Sequence, residues 1–163
     1  MNIRDDAVAP DRKTRVQMKR NRSVLSLVAT IGVLSFPLPA RAQDFTVIVN
    51  ASNPVSSLPR DDVAKLFLKK TVAWQSGKPV APVELPPAAK VREAFARTVL
   101  NKSIPQVRSY WQQQIFSGRD VPPPEKQSEN DVVAFVRSNP GAIGYVSKGV
   151  DIGRGVKPLA VVQ

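Results

Sequence analysis

An apolar segment near the N-terminus limits how much of the chain is available to fold into a domain. The basic stretch Met18–Arg22 precedes an apolar run over Val24–Phe36, and the small residues Ala40 and Ala42 follow that run. This order is typical of a cleaved signal peptide, and the run is shorter than the roughly 20 residues that span a bilayer. We therefore expect secretion to the periplasm with cleavage after Ala42, which leaves 121 of the 163 residues to form a domain over 43–163.

The residues before Met18 are polar and charged and add nothing to the signal pattern. The simplest interpretation is that translation starts at Met18 and that residues 1–17 are an N-terminal extension. The alternative to cleavage is a retained N-terminal anchor, against which the small residues at positions 40 and 42 argue. No cysteine follows the apolar run, so a lipid-anchored mature form is excluded.

Two residue types are missing from the chain, and their absence excludes most common enzyme mechanisms. The sequence contains no Cys and no His, so it has no thiolate nucleophile, no imidazole base and no metal site built on either. No pair of carboxylates stands out as an acid–base couple either. We therefore predict a non-catalytic protein with no catalytic residues, no metal ligands and no cofactor.

The basic charge of the chain belongs partly to the export segment. The formal net charge is +11, from 24 Lys and Arg against 13 Asp and Glu, and removal of residues 1–42 leaves +6 on the domain. The remaining basic residues are scattered, with Lys69 and Lys70 as the single adjacent pair, and no aromatic platform accompanies them. These features argue against nucleic-acid binding but suit a small anionic ligand or an anionic surface.

Residues 43–163 alternate between strand and helix patterns. β-branched or apolar runs predict strands over 44–49, 79–85, 142–146 and 156–162, of which the second contains Pro82 and is expected at a sheet edge. Helical spacing predicts helices over 58–70 and 88–100, and two more that Ser103 and Ser128 cap. We therefore expect one α/β domain with a mixed sheet flanked by about four helices. The aromatic residues Trp74, Tyr110, Trp111 and Tyr145 are expected in or at the edge of its core.

Three segments in this order resemble the carboxy-terminal lobe of the phosphate-binding proteins of ABC transporters, in the type II periplasmic binding protein superfamily. Leu58–Trp74 resembles the helix, basic turn and tryptophan of that family. Val91–Phe95 is similar to the end of the ligand loop as it enters a helix, and Ser138–Val146 resembles the signature before the return strand. The resemblance extends over about Thr46 to Val162 and implies a single lobe of the fold, export, and capture of a small oxyanion.

The loop that would hold the anion departs from the family pattern. Leu85–Lys90 stands where the family has arginine, serine and glycine, so side-chain hydroxyls and a bidentate guanidinium are missing there. What remains is the start of a helix, whose free N–H groups and positive dipole end attract anions. The candidate ligand-binding residues are therefore Ala88 and Ala89 through their backbone, with Lys90 and Arg92 adding charge. The alternative is that the prolines merely start the helix while Lys90 and Arg92 form its solvated face.

Two functions follow from this resemblance. The first is an exported solute-binding-like domain that binds phosphate or another small anion in connection with transport. The second is an envelope interaction or accessory module with a degenerate ligand site, which contacts a transport or envelope protein. Because the family binds its ligand between two lobes and this chain has the length of one, a homodimer or a docking protein is expected to complete the cleft.

Overall fold

The computed structural model describes residues 44–163, so the predicted signal peptide and its cleavage site lie outside the described residues. Five strands and four helices occur within this range. The strands are β1 (Phe45–Asn50), β2 (Ser57–Pro59), β3 (Ala81–Pro82), β4 (Ala142–Ser147) and β5 (Val156–Val162). The helices are α1 (Arg60–Phe67), α2 (Lys90–Thr98), α3 (Ile104–Phe116) and α4 (Glu129–Ser138).

The five strands form one mixed sheet in the order β2-β5-β1-β4-β3. The central strand β1 pairs antiparallel with both β4 and β5, whereas β2 and β3 join the two sides as parallel edge strands. The prediction of an α/β domain with a mixed sheet and four helices is thus confirmed. The expected edge position of the Pro82 segment is confirmed as well, because a proline cannot donate to a further strand.

Helices cover both faces of the sheet, and the alternation along β4 shows which helix covers which face. Tyr145 stacks on Phe95 of α2, with ring centroids 4.1 Å apart, and its ring also lies 5.7 Å from that of Phe67 in α1. The preceding residue, Gly144, points to the opposite face, where a Cβ atom would come within 2.7 Å of Val132 in α4. A glycine is therefore needed there because α4 packs closely against the strand.

A buried asparagine fixes the end of α4 to the central strand. The Asn50 side-chain amide donates to the carbonyl oxygens of Val136 and Arg137, at 2.9 and 2.8 Å. Carbonyls in the last turn of a helix have no partner within the helix, so this side chain supplies one. It also holds the turn after β1, because the backbone N–H of Ser52 donates to its Oδ1 atom at 2.9 Å.

The predicted elements are shorter in the structure, since the strand expected over 79–85 is β3 (Ala81–Pro82) and the helix expected over 58–70 is α1 (Arg60–Phe67). The helix predicted from Leu58 begins at Arg60, and the residues before it form strand β2, which pairs in parallel with β5. The physical reason lies in Pro59, because a proline disfavours the helical conformation for the residue that precedes it. Leu58 is therefore extended and available for pairing, while the prediction of the helix itself is confirmed over 60–67.

The four aromatic residues expected in or near the core lie there. Trp74, Trp111 and Tyr145 are buried, and Tyr110 is half-buried beside Trp111. Ser103 and Ser128 cap α3 and α4, as predicted, and the structure shows that each forms a capping box, with Gln106 and with Asp131. Within residues 44–163, the structure has no helix long and apolar enough to cross a membrane.

Candidate functional site

The loop that enters α2 starts at the edge of the sheet. After β3, the Val83 N–H still donates to Ile143 of β4 at 2.9 Å, and the Leu85 side chain is buried. The chain then turns tightly, since the N–H of Ala89 donates to the carbonyl oxygen of Pro86 at 2.9 Å. Helix α2 begins at Lys90, two residues later than the sequence predicts, and Ala89 is its N-cap without a side-chain cap.

Within residues 44–163, the first turn of α2 has two backbone donors without an acceptor, one on the exposed Lys90 and one on the buried Val91. The N–H groups of Arg92 and Glu93 donate to the carbonyl oxygen of Ala89. Among the described residues, the N–H groups of Lys90 and Val91 have no acceptor. Ala88 and Lys90 are exposed and Ala89 is half-buried, so three of the four predicted site residues lie together on one accessible turn.

Arg92 is buried and paired with two carboxylates. One of its terminal nitrogens lies 2.7 Å from Oε2 of Glu84, and the other donates to Oε1 of Glu125 at 2.5 Å and to the carbonyl oxygen of Leu85. Its side chain is only 9% exposed. The alternative that Arg92 lies on the solvated face of α2 is therefore wrong, whereas Lys90 does lie on that face.

The partners of Arg92 come from segments that are distant in sequence. Glu84 follows β3, and Glu125 lies in the proline-rich segment before α4. The backbone brings them together, because the Glu84 N–H donates to Pro124 and the Lys126 N–H donates to the Glu84 carbonyl oxygen, at 3.0 and 2.8 Å. The proline-rich segment, which contains Pro122–Pro124, is thus tied to the end of β3.

The electrostatics of this cluster are those of two carboxylates that share one guanidinium. Burial raises the pKa of Glu84 to about 7, with Arg92 opposing the shift and Glu125 adding to it. Burial also opposes the charge of Arg92, but Glu84 and Glu125 outweigh it, and the pKa of Arg92 is raised. When both carboxylates are ionised, the three side chains carry a net charge of −1, which disfavours an anion beside Arg92.

A groove lies next to this cluster, between the start of α2, helix α3 and the proline-rich segment. Its volume is about 220 Å³. Most of its lining is apolar and comes from one face of α3, and Arg92 and Glu125 also line it. The apolar lining residues are Pro87, Ile104, Val107, Trp111, Ile115 and Pro122. Ile115, on this apolar face of α3, is 50% exposed because nothing among the described residues covers this part of the helix.

The acidic residues around the start of α4 have structural partners. Asp131 closes the capping box with Ser128, and Glu129 accepts hydrogen bonds from the backbone N–H and the hydroxyl of Ser147. No group of three Asp and Glu side chains within residues 44–163 could hold a metal ion.

Comparison with known proteins gives the fold. The sequence matches no protein-family model and no curated protein. A putative phosphate ABC transporter substrate-binding protein from Clostridium perfringens, whose structure holds bound phosphate, matches with a TM-score of 0.57 at 21% identity. An ABC-type phosphate transport receptor from Vibrio cholerae matches with a TM-score of 0.55 at 20% identity, and PstS from Borrelia burgdorferi with 0.57 at 16%. The domain has a periplasmic-binding-protein-like fold.

The resemblance seen in the sequence is thereby confirmed at the level of the fold. The matches cover 72%, 71% and 72% of this chain, but 44%, 45% and 47% of the three proteins. The chain therefore spans less than half the length of the proteins it resembles. This share agrees with a periplasmic-binding-protein-like domain that consists of a single lobe.

The sequence did not reveal the partners of Arg92. Glu84 had one usable signal, since it lies between the apolar residues Val83 and Leu85 in a predicted strand, where a carboxylate needs a partner if it is buried. Glu125 had none, because its position beside Arg92 depends on how the proline-rich segment returns to the sheet.

Proposed function

We propose that this chain is an exported, non-catalytic, solute-binding-like domain that binds phosphate or another small anion in connection with transport. The observation that carries the proposal is the first turn of α2, where the N–H groups of the exposed Lys90 and the buried Val91 have no acceptor among the described residues. The similarity to proteins named for phosphate transport supports the same ligand class.

The chemistry of this turn suits a small oxyanion. The N-terminus of a helix carries about half a positive elementary charge, and its free N–H groups donate to negative oxygen atoms. The exposed ammonium group of Lys90 adds a full positive charge at the same turn. Ala88 and Ala89 have side chains too small to obstruct an approaching anion, so in this proposal they act through their backbone.

In this proposal, Arg92 supports the turn instead of binding the anion in the arrangement described. Its terminal nitrogens already hold Glu84, Glu125 and the Leu85 carbonyl oxygen, which fixes the loop that ends at α2. The same observation favours a second function. An accessory module with a degenerate ligand site, acting through an envelope or transport protein, also explains an arginine that is engaged by its own chain.

Calorimetric titration of the exported protein with phosphate and sulfate distinguishes the two functions. We expect saturable binding that weakens at least fivefold in Lys90→Ala. The matched control is Lys78→Ala, which removes another exposed lysine, one that precedes β3 instead of following it. Absence of binding to either anion, together with co-purification of an envelope protein, would leave the accessory module as the function.

Export and assembly form the remaining part of the proposal. Residues 1–42 act as the extension and signal peptide, so the mass of the periplasmic protein is expected to correspond to a chain that starts at Gln43. A second copy or a transport protein completes the cleft that a single lobe leaves open. Light scattering of the exported protein, with and without phosphate, measures whether a homodimer forms.

A further inference from the structure

The groove between α2 and α3 combines an apolar wall with a buried cation. Ile104, Val107, Trp111 and Ile115 are spaced by three or four residues and so present one apolar face of α3 to the groove. Arg92 lines the same groove and supplies a guanidinium, and the exposed Arg108 adds a second positive charge to the lining. A ligand that suits this lining has an apolar body and an acid group.

Two buried donors of the groove residues lack acceptors. Nε of Arg92 and Nε1 of Trp111 are both buried, and neither finds a hydrogen-bond partner among the described residues. Both atoms can only donate, so the group that would satisfy them is an acceptor such as a carboxylate or phosphate oxygen. Because an unsatisfied buried donor is costly, this pair favours a bound acceptor.

Glu125 is the acid group that the chain itself places at Arg92 in this groove, where it binds a terminal nitrogen and not Nε. Its carboxylate binds Arg92 at 2.5 Å, yet 42% of the side chain is exposed, so it can rotate away into solvent. Glu84, by contrast, is 3% exposed, so its carboxylate has no route into solvent and stays paired with Arg92. Of the two carboxylates on Arg92, Glu125 is therefore the one that an external anion can replace.

We propose that the α2–α3 groove binds a small organic anion whose acid group replaces Glu125 at Arg92 and whose apolar body lies against Trp111. This inference goes beyond the proposed function, since it assigns a second anion, bound at Arg92 in the groove and not at the first turn of α2. Glu125 is then an internal competitor that sets the affinity. When Glu84 is ionised, removal of Glu125 leaves Arg92 paired with Glu84 alone and changes the net charge of the cluster from −1 to zero.

The two tryptophans of the chain provide a reporter and an internal control. The indole N–H of Trp74 donates to the Gly141 carbonyl oxygen at 2.9 Å, whereas that of Trp111 has no acceptor among the described residues. In a ¹H–¹⁵N spectrum of the exported protein, titration with octanoate is expected to shift the Trp111 indole signal saturably and to leave that of Trp74 in place. Trp111→Phe assigns the two signals, and octanol, which has the apolar chain without the acid group, is the matched control ligand.

Two variants test whether the Glu125 carboxylate competes with the ligand for Arg92. Glu125→Ala keeps the backbone bonds of Pro124 and Lys126 to Glu84, and we expect it to bind octanoate about tenfold more tightly, equal to about 1.4 kcal/mol. The control is Glu93→Gln, which removes an equal charge from an exposed pair with Arg97 on α2, and its affinity is expected within about twofold of the wild type.

The outcomes separate this inference from the proposed function. Octanoate binding that tightens in Glu125→Ala supports the inference, and octanol binding as tightly as octanoate overturns it. If phosphate binds in a Lys90-dependent manner but octanoate moves neither indole signal in the wild type or in Glu125→Ala, the inference is wrong and the proposed function stands. If neither phosphate nor octanoate binds, both are wrong.

Discussion

Replacing Glu84 with glutamine tests how strongly the buried cluster couples the stability of the domain to pH. Burial raises the pKa of Glu84 from 4.5 to about 7 in the folded protein. Between these two values the unfolded chain releases the proton while the folded chain retains it, so the free energy of unfolding falls as the pH rises. The shift corresponds to about 3 kcal/mol, which is lost over the window from about pH 4.5 to about pH 7.

Urea denaturation of the wild type and Glu84→Gln at several values from about pH 4.5 to about pH 8 measures this effect. Glutamine cannot ionise, so the variant is expected to lack the contribution of Glu84 to the pH dependence of the free energy of unfolding. The contributions of all other groups are expected to remain. The difference in the free energy of unfolding, wild type minus variant, should therefore decrease by about 3 kcal/mol across the window. Glu93→Gln, which alters an exposed carboxylate of α2, is expected to give a constant difference. A constant difference for Glu84→Gln as well would refute the reasoning, since Glu84 would then have the same pKa in both states.

Three further predictions concern the packing of α4 and are all measured by urea denaturation. Gly144→Ala is expected to lower the free energy of unfolding by about 1–3 kcal/mol, because the new Cβ would lie 2.7 Å from Val132; an unchanged value would mean that α4 is not packed this closely. Asn50→Ala is expected to cost about 2 kcal/mol, since two carbonyl oxygens at the end of α4 lose their donor, and a cost below about 0.5 kcal/mol would contradict that role. Ser128→Ala removes the cap of α4 and is expected to cost about 1 kcal/mol, whereas Ser128→Asp, which keeps an acceptor, should cost less.

The elements that local sequence specifies were predicted well. Ser103 and Ser128 cap helices in capping boxes, and a capping box involves only four consecutive residues, so its pattern is legible in the sequence. The edge position of the Pro82 strand follows from the missing N–H of proline. Strand β2 was missed because Leu58 is apolar in either a helix or a strand, although Pro59 after it was a signal for extended backbone.

The candidate site was predictable only in part. The accessible turn of Ala88, Ala89 and Lys90 follows from the prolines that precede a helix start, which is a local signal. The environment of Arg92 depends on Glu125, which reaches it through backbone bonds between a proline-rich segment and the end of β3. No local sequence pattern indicates such a contact between distant segments. The sequence therefore predicted Arg92 either beside a ligand or in solvent, and neither prediction includes its two carboxylate partners.

The most direct test of the proposed anion site is a phosphate titration of the exported protein followed by ¹H–¹⁵N spectroscopy. We expect the backbone amide signals of Lys90 and Val91 to show the largest saturable shifts, because their N–H groups have no acceptor among the described residues. The amide of Gly77, which donates to the Trp74 carbonyl oxygen in another turn, should not shift. Saturable shifts centred on other residues, or no shifts at phosphate concentrations far above those of the protein, would contradict the assignment of the anion site to the start of α2.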